Sequence, residues 1–120
     1  ILRALIAKNG AVLVTIAEQM AASSTSFYDA TVELAQVLYR ISLAQVVPSA
    51  QTDDVQLAAI IADLAPQLGA DEVQLYYSIV TASREQLHLA PDAQAGFTMM
   101  LLRLLAFAPT KDKATTVKKP

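Results

Sequence analysis

Two pairs of adjacent carboxylates are the first residues in this 120-residue chain that could do acid–base chemistry: Asp53 with Asp54, and Asp71 with Glu72. A catalytic carboxylate pair needs a fixed separation across a pocket and one raised pKa. Neighbours on a polar loop point apart and stay solvated, and acidic residues at a helix start favour the helix dipole. We therefore interpret both pairs as structural.

The single histidine, His88, could act as a general base, but helical spacing places no serine, threonine or aspartate beside it. A lone histidine excludes a multi-histidine metal centre within one chain. The chain has no cysteine, which excludes disulfides, thiolate metal sites and cysteine nucleophiles. None of its three glycines falls in a phosphate-binding GxxxxGK[ST] pattern. We therefore predict no catalytic, cofactor-binding or metal-binding residue.

Tyrosines and arginines are better candidates for binding. Tyr76 and Tyr77 point about 100° apart on a helix, so one ring enters the core. The other ring lies at an interface or is an ordinary residue at the edge of the core. Arg103 is alone on an apolar helix, so it reaches water or pairs with a carboxylate within or between subunits. Arg40 and Arg84 face the same choice.

The elements that hold these residues are predicted to be helices throughout, because alanine and leucine dominate and no segment alternates with a period of two. Asn9-Gly10 ends the first helix, and Ser26 and Asp92 are predicted N-caps of later ones. The fold class is all-α, a compact bundle of about five to six helices. The predicted helices after the first cover residues 11–22, 27–47, 55–64, 71–87 and from 91–92 to the stop at Pro109.

Apolar spacing also predicts which faces are buried. The second helix has one apolar stripe, formed by Val12, Leu13, Ile16 and Met20. The third has two stripes, and a helix with two apolar faces is central or shared with a neighbour. The first stripe contains Phe27, Ala30, Leu34, Val37, Leu38 and Ile41, and the second contains Tyr28, Val32, Ala35, Tyr39, Leu43 and Val46. The sixth helix is apolar nearly all round, which predicts burial within the domain or between subunits.

Composition and charge narrow the function classes. Apolar residues make up 54% of the chain and charged ones 17%, so a small domain cannot hide all its apolar surface and partners should cover some. The net charge is −2, and residues 111–120 carry +3, which leaves −5 on residues 1–110. An acidic body binds phosphate poorly, so we predict no direct contact with nucleic acid. Basic residues cluster only in a non-amphipathic tail, which argues against a membrane-surface role.

The ends of the sequence suggest a piece of a longer protein. The chain begins in a helical pattern without methionine or cap, and residues 110–120 have the composition of a linker. We expect a helical domain over residues 1–109, followed by a flexible basic linker over residues 110–120.

Three stretches carry a resemblance to a known family: residues 38–45 (LYRISLAQ), 71–79 (DEVQLYYSI) and 84–107, where the order and spacing of LAPD, AG and MLLR agree. They resemble the third domain of the tau/gamma subunit of the bacterial DNA polymerase III clamp loader. That domain is a helical collar that follows two ATPase domains. The resemblance covers about residues 1–109.

The resemblance implies an oligomerisation domain that helps assemble the loader, which places the sliding clamp on primed DNA during replication. It implies that the parent is a clamp-loading ATPase, whereas this fragment is no enzyme, since ATP and zinc bind to the first domain. The implied partners are other tau/gamma copies, delta, delta-prime and psi of the chi–psi pair, in the bacterial cytoplasm. It also implies self-association of the isolated domain.

The candidates for subunit contacts lie on the third, fifth and sixth helices. They are Tyr39, Arg40, Tyr76, Tyr77, Arg84, Arg103 and Phe107. Two other classes remain open from the residues alone. One is a helical homodimeric regulatory domain unrelated to replication. The other is an enzyme whose site needs a segment outside this sequence.

Overall fold

A computed structural model describes residues 1–47, 53–87 and 92–107. These residues form six α-helices and one 3₁₀ turn at Ala65–Gln67, and the all-α prediction is confirmed. The helices are α1 (Leu2–Ile6), α2 (Gly10–Ala22), α3 (Phe27–Val46), α4 (Val55–Leu64), α5 (Ala70–Leu87) and α6 (Ala93–Phe107). His88 and the predicted linker at residues 110–120 lie outside the described residues.

Side-chain caps explain where the helices begin. Ser26 Oγ accepts a hydrogen bond from the Asp29 amide at 3.0 Å, and Asp92 Oδ1 accepts one from the Gln94 amide at 2.9 Å. Both predicted caps are therefore confirmed. These bonds satisfy amides that have no partner within the first turn of a helix.

The prediction for Asn9-Gly10 was wrong in detail. Lys8, with φ 59°, ends α1, and Asn9 instead caps α2 through a 3.2 Å bond from the Val12 amide. Gly10 opens α2, where an added Cβ would lie 3.0 Å from Leu105 Cδ2. A side chain at this position would have to displace Leu105 by a few tenths of an ångström, so the glycine eases the close approach of α2 to α6.

The packing of α2 also corrects the predicted stripe. Leu13 and Ala17 are its buried residues, whereas Val12 is 41% exposed. Gly10, Leu13 and Ala17 lie on one helix face, and the small residues at its ends let α2 pack against α6. Ile16 and Met20 are only partly buried. Small side chains therefore determine which face of α2 packs against α6. A count of large apolar residues does not identify that face.

Helices α3 and α5 pack against each other over the greatest length, and α6 packs against both α5 and α2. Helix α4 packs on α3, and α1 packs on α2. The fully buried side chains from these elements form one core, which includes Leu5, Leu13, Leu38, Ile41, Val73, Tyr76, Val80, Phe97, Leu101 and Leu104. At one end of it, the rings of Phe27 and Phe97 lie 5.1 Å apart and hold the start of α3 against α6.

The two stripes of α3 have different surroundings. Leu34, Leu38 and Ile41 of the first stripe are buried, as predicted. In the second stripe only Ala35 is buried, and Tyr28 and Tyr39 are exposed. Helix α3 therefore keeps part of its second apolar face open to solvent.

Helix α6 is buried on one side only. Phe97, Met100, Leu101 and Leu104 enter the core, whereas Met99, Leu102 and Phe107 are exposed. The prediction that α6 is buried on all sides within the domain was therefore wrong. The alternative, burial of this outer side between subunits, remains a prediction.

Candidate subunit-association surface

Three of the predicted contact residues meet around one cleft between α3 and α5. Tyr39 lies on α3, and Tyr77 and Arg84 lie on α5. Arg40 is beside the cleft, since its guanidinium carbon lies 5.7 Å from the centre of the Tyr39 ring. The other three candidates do not line the cleft: Tyr76 is buried, and Arg103 and Phe107 lie on α6.

The cleft consists of two adjoining hollows of about 220 and 210 Å³ that share Tyr39 and Tyr77. We call it the tyrosine cleft. Its described lining contains two tyrosines, one arginine, and polar or small apolar residues, with no carboxylate. These residues are Val32, Ala35, Gln36, Tyr39, Ser42, Gln74, Tyr77 and Arg84.

A cross-helix hydrogen bond fixes one side of the cleft. Gln74 Nε2 on α5 donates to Ser42 Oγ on α3 at 2.6 Å. The tyrosine rings themselves are open to a partner, since Tyr39 is 51% exposed and Tyr77 is 39% exposed. The centres of protein interfaces are enriched in tyrosine and arginine, and the cleft presents both beside small apolar groups.

The arginine and lysine side chains of the described residues differ in whether they have a polar partner. Arg3 forms an ion pair with Asp63, Lys8 has a partner, and Arg103 bonds to Ser83. Within the same described ranges, Arg40 and Arg84 make no hydrogen bond or ion pair. The two cations that lack a polar partner are therefore the two at the tyrosine cleft.

The tyrosine pair divides as expected, with one ring in the core and one at the surface. Tyr76 is fully buried, so it is a core residue and is corrected as a candidate for subunit contact. Its hydroxyl donates to Glu72 Oε2 at 3.1 Å, and Glu72 Oε1 accepts from the Gly69 amide at 3.0 Å. Burial, together with the charge and hydrogen bond of Glu72, raises the pKa of the Tyr76 phenol above its ordinary value of 10.0.

This raised pKa predicts a loss of stability in alkali. The neutral phenol is favoured in the folded chain, so its contribution is complete below pH 10 and decreases as the pH rises above 10. Tyr76→Phe removes this proton linkage, so the free energy of unfolding should fall less steeply with pH, by at most about 1.4 kcal/mol per pH unit. Urea denaturation at pH 9 to 11.5 measures the slope. Equal slopes for the wild-type chain and the variant would contradict the prediction.

Arg103 does not reach a described carboxylate of its own chain. Its Nη1 donates to Ser83 Oγ on α5 at 3.2 Å, and the Ser83 side chain is buried. The guanidinium is partly exposed and has five N–H donors, so it retains capacity for a second partner. Pairing of Arg103 between subunits remains a prediction.

The pair Asp71 and Glu72 has the position at a helix start that was predicted for it, whereas Asp54, predicted only to be a solvated loop residue, is also a helix cap. Asp54 caps α4 through a 3.1 Å bond from the Leu57 amide, and Asp71 and Glu72 lie in the first turn of α5. In the described parts of the chain, no group of three or more acidic, histidine or cysteine side chains could hold a metal ion. Nor is any described helix long and apolar enough to cross a membrane.

Sequence reasoning missed two features that depend on packing between helices. Gln45 Nε2 bonds to the carbonyls of Ala65 and Leu68 at 3.1 and 2.9 Å and joins the end of α3 to the turn before α5. A second groove of about 340 Å³ lies between α1, α3 and α4, with Val37 and Ile60 among its lining residues. No local spacing in the sequence marks either feature.

Comparison with known proteins decides the family. The sequence matches the family described as DNA polymerase III subunits gamma and tau domain III over residues 1–119. The chain belongs to this family. The domain III resemblance inferred from the three sequence stretches is therefore confirmed.

Several bacterial relatives of this domain III chain are DNA polymerase III subunits. The chain is 33% identical over 112 residues to the tau subunits of Escherichia coli and of Salmonella typhimurium. It is 31% identical over 109 residues to the tau/gamma subunit of Haemophilus influenzae. Each match covers 91% of the chain but only 15–17% of the relative, so the chain spans less than a fifth of these proteins.

Proposed function

We propose that this chain is the oligomerisation domain of a DNA polymerase III clamp-loader subunit. In this proposal it joins tau/gamma copies to one another and to delta and delta-prime, and so assembles the loader that places the sliding clamp on primed DNA. The chain does this without ATP, zinc or another cofactor of its own, as a cytoplasmic part of the replisome. Residues 1–109 form the association domain, and residues 110–120 begin a linker.

The tyrosine cleft is the observation that carries the proposal. A domain that acts by association needs exposed anchors on a rigid base, and Tyr39 and Tyr77 project from the two helices that pack most extensively. Tyrosine and arginine supply much of the binding energy at protein interfaces. Family membership supports the same conclusion, because the relatives are named as subunits of a multisubunit polymerase.

The exposed side of α6 offers a second contact region. Met99, Leu102 and Phe107 are large apolar residues open to solvent, and Arg103 lies between them with donors to spare. Large apolar side chains that lie together on an exposed helix face are a common feature of protein interaction sites. We propose that Phe107 and Arg103 contact another subunit through this face.

Measuring mass in solution tests the proposal directly. Light scattering over a concentration series should give a mass above 12.8 kDa that falls on dilution. Adding purified delta and delta-prime subunits should yield a stable mixed complex. A chain that stays monomeric and binds neither subunit would refute the proposed function. Self-association without any binding to those subunits would favour the homodimeric regulatory domain instead.

A further inference from the structure

The tyrosine cleft has an excess of positive charge in a chain whose body is acidic. Arg84 lines it and Arg40 lies beside it, neither has a polar partner among the described residues, and no carboxylate is in the lining. Residues 1–110 nevertheless carry a net charge of −5. The group that completes this cleft should therefore bring a carboxylate and an apolar side chain together.

A second copy of the chain presents such a pair on α2. Glu18 is the only charged residue of that helix, and it is exposed without a hydrogen bond or ion pair to any described residue. Val14 is also exposed and lies one turn before Glu18 on the same side of the helix. This part of α2 could therefore insert an isopropyl group between the tyrosines while its carboxylate reaches an arginine.

The other described carboxylates fit this role less well. Four are already bonded within the chain: Asp54, Asp63, Glu72 and Asp92. Of the rest, one precedes α4 and the others lie on α3 and α5, the helices that form the cleft. These are Asp29, Glu33, Asp53, Asp71 and Glu85. Glu18 is thus the carboxylate on a helix outside the cleft that still lacks a partner.

The two surfaces cannot meet within one molecule. Helix α2 packs mainly on α6 and α1, whereas the cleft lies between α3 and α5. Contact between different surfaces of two copies is heterologous, and such contacts build rings or open chains rather than closed twofold dimers.

We propose that domain III copies associate head to tail, with α2 of one copy seated in the tyrosine cleft of the next. Glu18 then faces Arg84 and Arg40, and Val14 lies between Tyr39 and Tyr77. The inference rests on the proposed function and names the partner surface of that same site. Charge pairing of this kind selects the partner and fixes the register.

Charge reversal gives a sharp test with this chain. Arg84→Glu and Glu18→Arg should each weaken self-association about tenfold or more, because like charges then face each other. Mixed in equal amounts, the two variants should associate as strongly as the wild-type chain, since every cleft again meets an α2 of opposite charge. The double variant E18R/R84E should associate with itself again, because each molecule then carries both reversed charges. Sedimentation velocity of the wild-type chain, the two single variants, their mixture and the double variant measures the strength of association in each sample.

Glu85→Arg is the matched control for Glu18→Arg. It makes the same change of formal charge at an exposed position next to Arg84, and it does not touch α2, so it should leave association near the wild-type level. Circular dichroism confirms that each variant is folded. A mixture that associates no better than its separate variants would overturn the inference, as would a wild-type chain that stays monomeric. The proposed function is judged separately by binding to delta and delta-prime.

Discussion

Phe97→Ala is expected to destabilise the domain by about 3–5 kcal/mol, the usual cost of removing a fully buried ring. Phe97 has no exposed surface, and its ring packs 5.1 Å from that of Phe27 at the junction of α3 and α6. Most domains are stable by only about 5–15 kcal/mol in total, so the variant should unfold at a much lower urea concentration. Chemical denaturation followed by circular dichroism gives the free energy of unfolding.

Phe107→Ala is the matched control for this experiment. It makes the same substitution on the same helix, but Phe107 is 57% exposed. Its effect on unfolding should stay within about 0.5 kcal/mol, as is usual for surface residues. Under the proposed function it should weaken association instead. Equal losses of stability in the two variants would contradict the assignment of the two faces of α6.

Tyr39→Ala combined with Tyr77→Ala should weaken assembly more than any other exposed pair. Each ring projects from the cleft, and truncating a residue that is a hot spot of an interface costs about 2 kcal/mol or more, roughly a 30-fold rise in Kd. Both side chains are substantially exposed, so folding should be nearly unchanged. Light scattering of the variant, alone and with delta and delta-prime, measures the effect.

Tyr28→Ala provides the control for this pair. Tyr28 is another exposed tyrosine of α3, in the first turn of the helix, and it is not among the residues that line the cleft. Its truncation should leave assembly close to the wild-type level. If Tyr28→Ala impairs association as much as the double variant does, the contact does not centre on the cleft.

The helices could be predicted from the sequence because their determinants are local. Ser26 and Asp92 are polar caps immediately before apolar runs, and the spacing of Leu34, Leu38 and Ile41 indicates the inward face of α3. The inward face of α2 was predicted less well. Gly10 and Ala17 allow close packing on α6, and that depends on the shape of a distant helix.

The candidate site was predictable only in part, for the same reason. Exposed tyrosine and unpaired arginine can be suspected from residue type, but the meeting of Tyr39 with Tyr77 depends on how α3 and α5 pack. Tyr76, by contrast, could have been placed in the core from the sequence. Val73 and Val80 lie three residues before it and four residues after it on the same face of α5, and both are buried.

Helix α4 packs on the side of α3 opposite the tyrosine cleft and has few buried residues of its own. Among its described residues only Ile61 and Leu64 are buried, and Val55 at its start is 80% exposed. Elements with few buried apolar contacts open locally at a small fraction of the global unfolding free energy. The backbone amides of α4 should therefore exchange with solvent deuterium well before those of α3 and α5. Local opening of α4 can thus expose the side of α3 opposite the tyrosine cleft while the α3–α5 pair stays folded.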